Sequence, residues 1–516
     1  MSQPPLRFRL PSKTSDRAVA EDLRQAWAVK PLDVSRSRRA YLDTADWRLL
    51  RAGWTLHCDS RESEPAGLVL CSSSDGTALA RVTINGLPQW ADDIPDGEPW
   101  QRVGAAIDER RLLCQLNLDC IVKRFAVLDD EAKTTARVSF ERHLRAGDGT
   151  GSEQRLRMVT VTPLRGYERY AIAISKLFTD RALRPVDGSV LQCFRDAPEP
   201  STAGVARSQT LHELDTERSL PVATEVGRVL SRLREEMVEN EPGVRDQVDI
   251  EFLHDFRVAS RRARSVLNQV RALFPGGEAE VLSSELQWLG SVTGPVRDLD
   301  VQISQARHDL ADLKGLAQML TRKREEAQSS LVAALDSPRY KALLEAWIRL
   351  ENVAAKASQT HDGARPAGDV MDRYVYRAHR RVLRIGKGIH EESPAEALHD
   401  LRKKTKALRY LLEMFSSLYR GSDLKAAVRE LKALQDNLGE FQDTQVQANA
   451  IWSLAEEMLV ERVGSASELM AMGRIADALE VRQARARDEF AARFERFSSH
   501  AVTARYRRMF GSQESR

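Results

Sequence analysis

The sequence is poor in cysteine and in long apolar runs. It has five cysteines in 516 residues, and none of them stands in a C-x-x-C pair. This spacing argues against a disulfide framework and against the usual zinc site, and it fits a reducing compartment. No stretch of about 18 apolar residues is present, so no transmembrane helix is expected. The first residues lack the apolar core of a signal peptide, and we therefore expect a cytoplasmic protein.

Net charge of either sign is also nearly absent. The total is only +3, and it is not concentrated in one part of the chain. Residues 1–200 carry 30 Lys and Arg against 28 Asp and Glu, and residues 201–516 carry 48 against 47. A strong global field therefore does not guide an anionic partner to this protein. Any anion-binding site has to come from local clustering of cations.

The two parts of the chain differ in periodicity, which predicts the domain organisation. Residues 1–195 contain short apolar runs between Gly, Asp and Pro residues, which is typical of strands. The clearest runs are Gly67–Leu70, Ala78–Ile84, Ile121–Val127 and Met158–Val161. Helices over Ser15–Ala28 and Tyr167–Phe178 complete a predicted antiparallel α+β domain. Residues 196–220 form a predicted polar linker, and residues 221–510 have a helical pattern throughout.

The helical part repeats itself at an offset of 145 residues. The segment His-Asp-Phe-Arg at 254–257 returns as His-Asp-Leu-Arg at 399–402. Eleven positions agree at this offset without a gap, one of them as Arg against Lys. Agreement that includes His, Gly and Asp indicates a duplication. The predicted fold is thus α+β, with a β domain followed by an all-α domain of two duplicated four-helix bundles, over about 221–360 and about 366–510.

One helix in each repeat presents a row of cations. Positions 0, 3, 7 and 10, counted from the His, fall within about 80° of a helix surface. The row is His254, Arg257, Arg261 and Arg264 in the first repeat and His399, Arg402, Lys406 and Arg409 in the second. Like charges at this spacing destabilise an isolated helix by about 0.2–0.5 kcal/mol per pair. Because the row is duplicated in register, we predict that a polyanion binds it and relieves the repulsion.

Neighbouring cations extend both rows. The second copy adds Lys403 and a preceding helix with Arg377, Arg381 and Arg384 on one face, and the first copy adds Arg262. Secondary candidates are Arg228, Arg232, Arg297 and Lys432. Since the helix before the first copy also contains glutamates, we expect the second repeat to contribute more of the binding energy.

The repeated histidines leave three roles open. Each ring is a candidate to bind phosphate, and each His-Asp pair also fits a helix start, with the carboxylate near the positive end of the helix dipole. A metal-ligand role has little support because no His or carboxylate stands at i+4 from His254 or His399. We expect no metal site, no cofactor and no catalytic residue in the helical domain. Asp298 and Asp443 are expected to cap a helix or pair with Arg rather than hold a cation.

The H-D-x-R helix with its later R/K-x-x-R, followed by L-x-x-L-x(4)-G-x(3)-D, resembles the CHAD domain, the conserved histidine α-helical domain. The resemblance covers about 221–510 and includes both repeats. It implies binding of inorganic polyphosphate by basic residues between two helical bundles, without a catalytic apparatus. It also suggests a location on polyphosphate granules.

The amino-terminal part resembles the CYTH domain through residues 41–53, YLDTADWRLLRAG, and 163–168, PLRGYE. CYTH enzymes hydrolyse triphosphates in a β tunnel with a divalent metal, and their signature is E-x-E-x-K. Here Gln3, Pro5 and Arg7 align with those three positions. Two-metal chemistry needs carboxylates and the triphosphate needs cations. We therefore expect a degenerate domain that does not hydrolyse triphosphates, with Mg²⁺ or Mn²⁺ relevant only if activity is retained.

Four charged residues on predicted strands of this domain are candidates to line a residual tunnel. They are Lys123, Arg124, Arg137 and Glu141. A metal-dependent triphosphatase in residues 1–195 is accordingly one alternative function. Nucleic-acid binding by the basic helices is another, although few aromatic residues are interleaved with the cations to stack on bases. The leading prediction is non-enzymatic binding of inorganic polyphosphate, with no membrane partner.

Overall fold

The computed structural model divides into two compact units, Met1–Arg207 and Ser208–Arg516. It describes residues 5–61, 64–145, 154–186, 188–195, 216–274, 276–309, 314–359, 362–419 and 422–511. Most of the predicted linker, at residues 196–215, lies outside the described residues, as does Gln3.

The first unit is built on one nine-stranded sheet. The strands are β1 (Leu6–Arg9), β2 (Ala28–Asp43), β3 (Trp54–Arg61), β4 (Glu64–Ser72), β5 (Ala78–Ile84), β6 (Leu113–Leu128), β7 (Thr134–Arg145), β8 (Gln154–Pro163) and β9 (Arg184–Pro185). Their order is β5-β4-β3-β2-β6-β7-β8-β1-β9, and every neighbouring pair is antiparallel. The four strands predicted from apolar runs lie within β4, β5, β6 and β8, so the antiparallel α+β prediction is confirmed.

Short helices pack on both faces of this sheet. They are α1 (Asp16–Ala26), α2 (Arg48–Arg51), α3 (Trp100–Ile107), α4 (Glu168–Asp180) and α5 (Val190–Arg195). Helix α1 begins where the Ser15 hydroxyl accepts a hydrogen bond from the Ala18 amide. Val138 and Phe140 of β7 pack with α1 and α4 in one apolar core. Because side chains alternate along a strand, Glu141 and His143 lie on the opposite face.

The second unit is helical throughout its described residues. Its helices are α6 (Val222–Arg245), α7 (Ile250–Val270), α8 (Glu278–Asp309), α9 (Lys314–Leu335), α10 (Pro338–Ala357), α11 (Ala367–Gly386), α12 (Ala395–Met414), α13 (Ser422–Glu461), α14 (Ala466–Ser498) and α15 (His500–Phe510). The all-α prediction is confirmed. The described part of each repeat contains five helices rather than four, because Ser337 and Ser499 cap new helices, α10 and α15, directly after α9 and α14. No described helix has both the length and the apolar character required to cross a membrane.

The two repeats begin at equivalent points that bond to each other. Pro221 precedes α6 and Pro366 precedes α11, which is the 145-residue offset, and the two prolines form an isolated antiparallel bridge. The Val222 amide donates to the Arg365 carbonyl, and the Ala367 amide donates to the Leu220 carbonyl, both at 2.8 Å. The duplication thus has a nearly two-fold arrangement where the repeats start.

The apolar face of each cation-bearing helix is buried. Phe256 and Leu267 on α7, and Leu401 and Leu412 on α12, are all fully inaccessible to solvent. Burying such a side chain contributes about 1.5–3 kcal/mol. The apolar stripe therefore fixes the rotation of each helix about its axis and determines which way its cations face.

Candidate functional site

A groove of about 570 Å³ lies between α7, α11 and α12, and we call it the α11 groove. Its charged lining residues are Arg261, Arg264, Arg377, Arg381, Lys403, Lys404 and Lys406. Its other lining residues are Ser265, Asn268, Gln269, Tyr374, Ala378, Ala407 and Tyr410. Seven cations thus surround one groove with no carboxylate among its lining residues. Six of these seven belong to the residues predicted to bind an anion.

Two repeated helices and one preceding helix position these cations. Helix α11 buries Met371, Val375 and Val382 on one side. Arg377 and Arg381 follow one another at i,i+4, so they stand on a common face of α11 that is exposed. Helices α7 and α12 supply the other walls, since their buried stripes turn the cations toward α11.

Most of the groove cations have no ion-pair partner in the part of the chain that the structure describes. Among the described residues, no ion pair or side-chain hydrogen bond joins another group to Arg261, Arg264, Arg377, Arg381, Lys404 or Lys406. Lys403 pairs with Asp400 at 3.2 Å, on the exposed surface. Other arginines of this unit do form ion pairs, as Arg324 does with Asp300 at 2.7 Å. Crowded cations that have no ion-pair partner among the described residues favour a ligand that supplies negative charge.

Burial and the neighbouring cations lower the pKa values of two groove lysines. Burial, and then the charges of Arg402 and Arg261, lower the pKa of Lys406 from 10.5 to about 8. Burial, followed by the charge of Arg381, also lowers the pKa of Lys404. A bound anion would oppose both causes, because it favours the charged form of a nearby lysine.

The cationic surface continues along α11 beyond the groove. Arg377 also lines a cavity of about 190 Å³ with Arg365 and Arg373, and another of about 620 Å³ with Arg380 and Arg384. At 1.5 Å per residue, the stretch from Arg373 to Arg384 is about 16 Å long. The cations thus follow a line and are not confined to one compact pocket.

Several predicted residues lie outside the groove lining and make bonds inside the protein. Arg402 pairs with Asp443 at 2.8 Å, as expected for that aspartate. Arg257 donates to the Gly290 carbonyl at 3.0 Å and to the Thr293 hydroxyl at 2.6 Å. These bonds tie α7 to α8 and α12 to α13. In these two positions the arginines stabilise helix packing.

The repeated histidines also lie outside the groove lining. His399 Nδ1 is 2.6 Å from Gln442 Oε1 on α13, so this ring links two helices. His254 is half-buried on α7. Asp298 is near Arg257 and Arg297, and burial raises the pKa of its carboxyl.

The remaining predicted residues form ion pairs or lie on the surface. Arg409 and Arg262 share the Glu413 carboxylate, with nitrogen to oxygen distances of 2.5 and 3.7 Å. The secondary candidates pair as Arg228 with Glu225 at 3.0 Å, Arg232 with Glu235 at 3.6 Å, and Arg297 with Glu251 at 3.6 Å. Lys432 is exposed on α13.

Three groove residues are not among the predicted site residues. Lys404 follows Lys403 by 100° around α12 and therefore lies off the predicted row. Tyr374 and Tyr410 line the groove, although few aromatic residues were expected beside the cations. Their positions depend on how α11 packs beside α12, which no single-helix pattern contains.

The polar face of the sheet in the first unit is internally paired. Arg39 forms two hydrogen bonds with Asp59, at 2.7 and 3.1 Å. His143 lies 3.2 Å from Glu141 and 3.3 Å from Cys120. Hydrogen bonding to His143 lowers the pKa of Glu141 to about 2, although burial opposes the shift. These charged groups satisfy one another.

Helix α5 covers part of the same face. Its Val190, Leu191 and Phe194 pack with Tyr41 and Met158 in one buried cluster. Tyr41 is adjacent in register to the paired charges, since it stands opposite His57 on β3. The apolar side chains of α5 thus occupy space beside the polar face.

The residues predicted for a tunnel are divided between the two surfaces. Arg7 reaches backbone oxygens, donating to Gly76 at 3.0 Å and to Gly188 at 3.2 Å. Lys123 and Arg137 are exposed, and Arg124 donates to Asp33 at 2.6 Å. Of the four candidates for a residual tunnel, Glu141 is the one in the paired, covered face.

The donor set of this face does not fit a divalent metal. Mg²⁺ binds through carboxylate oxygens and retained water. Asp59 is bonded to Arg39, Glu141 to His143, and Pro5 stands where a signature carboxylate is expected. Among the described residues, no group of three or more His, Cys, Asp or Glu is placed to hold a metal ion.

Comparison with protein families places a CHAD domain in the second unit. Residues 228–452 match the model of the CHAD domain, which confirms that resemblance for this part of the chain. Two curated relatives from Mycobacterium tuberculosis, of strains CDC 1551 and H37Rv, are uncharacterized proteins. Each is 28% identical over 236 residues, which is 44% of this chain and 44% of the relative. The match thus spans less than half the length of these relatives.

Solved structures are similar to each part of the chain. The crystal structure of the CHAD domain from the plant Ricinus communis is 25% identical and covers 58% of this chain and 94% of that chain, with a TM-score of 0.42. HpAC1 from Hippeastrum, described with a dominant triphosphatase activity, is 15% identical and covers 39% of this chain and 98% of that chain, with a TM-score of 0.28.

Proposed function

We propose that the helical unit binds inorganic polyphosphate in the α11 groove. The observation that carries this proposal is the set of six groove cations that have no ion-pair partner among the described residues. Every phosphate of the polymer carries negative charge, and hydrogen bonds to charged groups contribute about 1.5–3 kcal/mol each. Arginine suits this ligand because its planar fork binds two oxygens at once. The CHAD match over residues 228–452 supports the same ligand class.

The line of cations along α11 favours a linear polyanion over a compact one. Arg373, Arg377, Arg381 and Arg384 lie along consecutive turns, and the cavities beside them share Arg373 and Arg377. A chain of phosphates can contact all of them, whereas a single phosphate contacts one region. We therefore expect affinity to rise with chain length until the polymer spans α11.

A binding titration with and without the groove cations tests the proposal. The full chain is titrated with polyphosphate of defined length by calorimetry, and the variant Arg264→Ala, Lys404→Ala, Lys406→Ala is compared with it. We expect the affinity of the variant to fall by more than about a hundredfold, since 1.4 kcal/mol corresponds to a factor of ten. The control variant Arg349→Ala, Arg429→Ala, Arg485→Ala removes the same charge from exposed sites that pair with neighbouring glutamates.

The control has to bind like the wild type for the assignment to hold. Equal losses in both variants would mean that total charge, and not the groove, determines binding. A wild type without affinity for polyphosphate would refute the proposed function.

Nucleic acid is the second candidate ligand, because Tyr374 and Tyr410 lie among the groove cations. Aromatic rings give bases a surface to stack on. Polyphosphate is favoured because it carries one charge per phosphate with no bases or sugars between the charges. Competition between polyphosphate, RNA and duplex DNA at one salt concentration ranks the three. Displacement of polyphosphate by RNA at equal phosphate concentration would reverse the ranking.

For the sheet unit we propose a non-enzymatic role. Support comes from the mutual pairing of Arg39 with Asp59 and of Glu141 with His143, and from the apolar side chains of α5. Hydrolysis needs free carboxylates for metal and free cations for the triphosphate. A phosphate-release assay with tripolyphosphate and nucleoside triphosphates, with Mg²⁺ or Mn²⁺, is expected to show no turnover. Robust turnover would establish the triphosphatase alternative.

Binding of this ligand would place the protein on polyphosphate granules in the cytoplasm. A fluorescent fusion of the full chain tests this location. The fusion is expected to concentrate on granules and to become diffuse when the three groove cations Arg264, Lys404 and Lys406 are replaced by alanine.

A further inference from the structure

Each lining residue of the α11 groove has an equivalent 145 positions away in the other repeat. We call the set of these equivalent residues the α6 groove. The charged residues at the partner positions are Arg232, Glu236, Arg261, Arg262, Lys406, Arg409 and Glu413. The counterpart thus has five cations and two carboxylates, where the α11 groove has seven cations and no carboxylate.

Two cations belong to both surfaces. Arg261 and Lys406 are each other's equivalents at the 145-residue offset, and both line the α11 groove. The charge of Arg261 lowers the pKa of Lys406, so the two side chains are close. The difference between the two grooves therefore arises from the residues on either side of this shared pair.

Carboxylates neutralise the cations of the α6 groove. Glu413, which replaces Asn268 of the α11 groove, lies 2.5 Å from Arg409 and 3.7 Å from Arg262. Glu236 replaces Arg381, and burial raises the pKa of its carboxyl, although the charges of Arg262 and Arg232 oppose the shift. These arginines already have negative partners.

Two of the three lysines of the α11 groove are missing from its counterpart. Val258 stands in place of Lys403, and Ala259 stands in place of Lys404. Arg262 is further held over the ring of Tyr410, with its guanidinium carbon 5.9 Å from the ring centre. The α6 groove thus has fewer cations than the α11 groove, several of its cations are paired, and it contains two carboxylates.

We propose that Glu236 and Glu413 close the α6 groove to polyanions, so that one protein molecule binds one polyphosphate chain and binds it on one side only. The inference rests on the proposed function of the α11 groove. A polyanion on the α6 side would face two carboxylates and would have to displace ion pairs that already exist. A protein with one such site coats a polymer, whereas a protein with two sites cross-links polymers.

Stoichiometry tests the inference. Calorimetry of the wild-type chain with polyphosphate just long enough to span one groove is expected to give one ligand per protein. The variant Arg381→Glu, Lys403→Val, Lys404→Ala copies the repeat-one residues into the α11 groove. It is expected to lose binding by more than about a hundredfold, by the same tenfold factor per 1.4 kcal/mol. Retention of one ligand at near wild-type affinity in this variant would reveal a second site and overturn the proposal.

The reciprocal variant is expected to gain a site. Glu236→Arg, Val258→Lys and Glu413→Asn copy repeat-two residues onto the α6 side and should raise the stoichiometry from one to two. The milder pair Glu236→Gln, Glu413→Gln keeps the side-chain size and is used if circular dichroism shows that the first variant is unfolded. A folded variant of either kind that still binds one ligand with unchanged affinity contradicts the role of the carboxylates.

Light scattering with long polyphosphate distinguishes a failure of the one-sided inference from a failure of the proposed function. The wild type should form soluble complexes, and the reciprocal variant should form large cross-linked particles. Wild-type protein that binds no polyphosphate refutes the proposed function. Wild-type protein that binds two short chains, or that cross-links long ones, leaves the proposed function intact and refutes the one-sided inference.

Discussion

Helices α6 and α11 occupy equivalent places in the two repeats but carry opposite charges at three positions. Both begin after a proline, and both bury an apolar stripe at the same spacing. On the outer face, Glu235, Glu236 and Glu239 of α6 stand where α11 has arginines. Those arginines are Arg380, Arg381 and Arg384. Packing therefore constrains the residue type at the buried positions of a duplicated helix, whereas its exposed positions can carry either charge.

The largest expected effect comes from removing charges at matched positions of the two helices. Arg377→Ala with Arg381→Ala should weaken polyphosphate binding by about a hundredfold, since two charge-assisted contacts are lost. The matched variant Arg232→Ala with Glu236→Ala changes the same positions of α6 and should alter affinity by less than about threefold. Calorimetry at one salt concentration measures both. Similar losses of affinity in the two variants would show that α6 and α11 contribute equally to polyphosphate binding.

A second contrast lies on the inner side of the same helices and concerns stability. Arg234 of α6 pairs with Glu351 at 2.8 Å, whereas its equivalent on α11 is the buried His379. The His379 ring stacks on Tyr506 with centroids 3.8 Å apart, and neither ring nitrogen has a hydrogen-bond partner in the described structure. Burial lowers the pKa of His379 to about 4.

Acid should therefore destabilise the helical unit through His379. The unfolded chain binds a proton near pH 6.5 and the folded chain only near pH 4, so this contribution is complete above 6.5 and is lost as the pH falls through that window. The expected loss is about 2 kcal/mol between pH 7 and pH 5. Urea unfolding at both pH values measures it, with His379→Leu as the comparison. An equal pH dependence in that variant would assign the effect to other groups.

The third prediction concerns the cation shared by the two grooves. Lys406 has a pKa of about 8 in the free protein, and a bound polyanion would raise it. Affinity should be full below pH 8 and fall as the pH rises, by up to about tenfold between pH 7 and pH 9. Lys406→Arg keeps the charge at every pH and should remove this dependence. A wild type with flat affinity over this range would show that Lys406 is not near the ligand.

The smallest expected effect tests whether the ligand contacts the predicted row of cations on α7 and α12 or the residues that line the α11 groove. Arg257 and Arg402 hold the same position in the two repeats, and both bond to a neighbouring helix. Replacing either by alanine should change affinity by less than about threefold and lower the free energy of unfolding by about 1 kcal/mol. A tenfold loss of affinity for Arg402→Ala alone would show that the ligand follows the row on α12.

The helical pattern identified the cations well because a duplicated motif repeats both its apolar and its charged positions. Arg261, Arg264 and Lys406 were all on the predicted rows, and Arg377 and Arg381 were on the predicted face of the preceding helix. Lys404 was not among the predicted site residues because it lies off the row of its own helix. Arg402 and Arg409 were on the row, but Arg402 pairs with Asp443 of another helix and Arg409 pairs with Glu413 one turn further along α12.

The helical class of the second unit, its duplication and the rows of cations could all be predicted from the sequence. They follow from local periodicity and from comparison of the chain with itself. Which cations lack an ion-pair partner among the described residues depends instead on the packing of the helices. Whether an arginine is paired depends on carboxylates that packing brings beside it, as Glu413 is brought to Arg262. The charge of each residue can be read from the sequence. A binding site needs several charged residues close together, and the packing of the helices determines which residues these are.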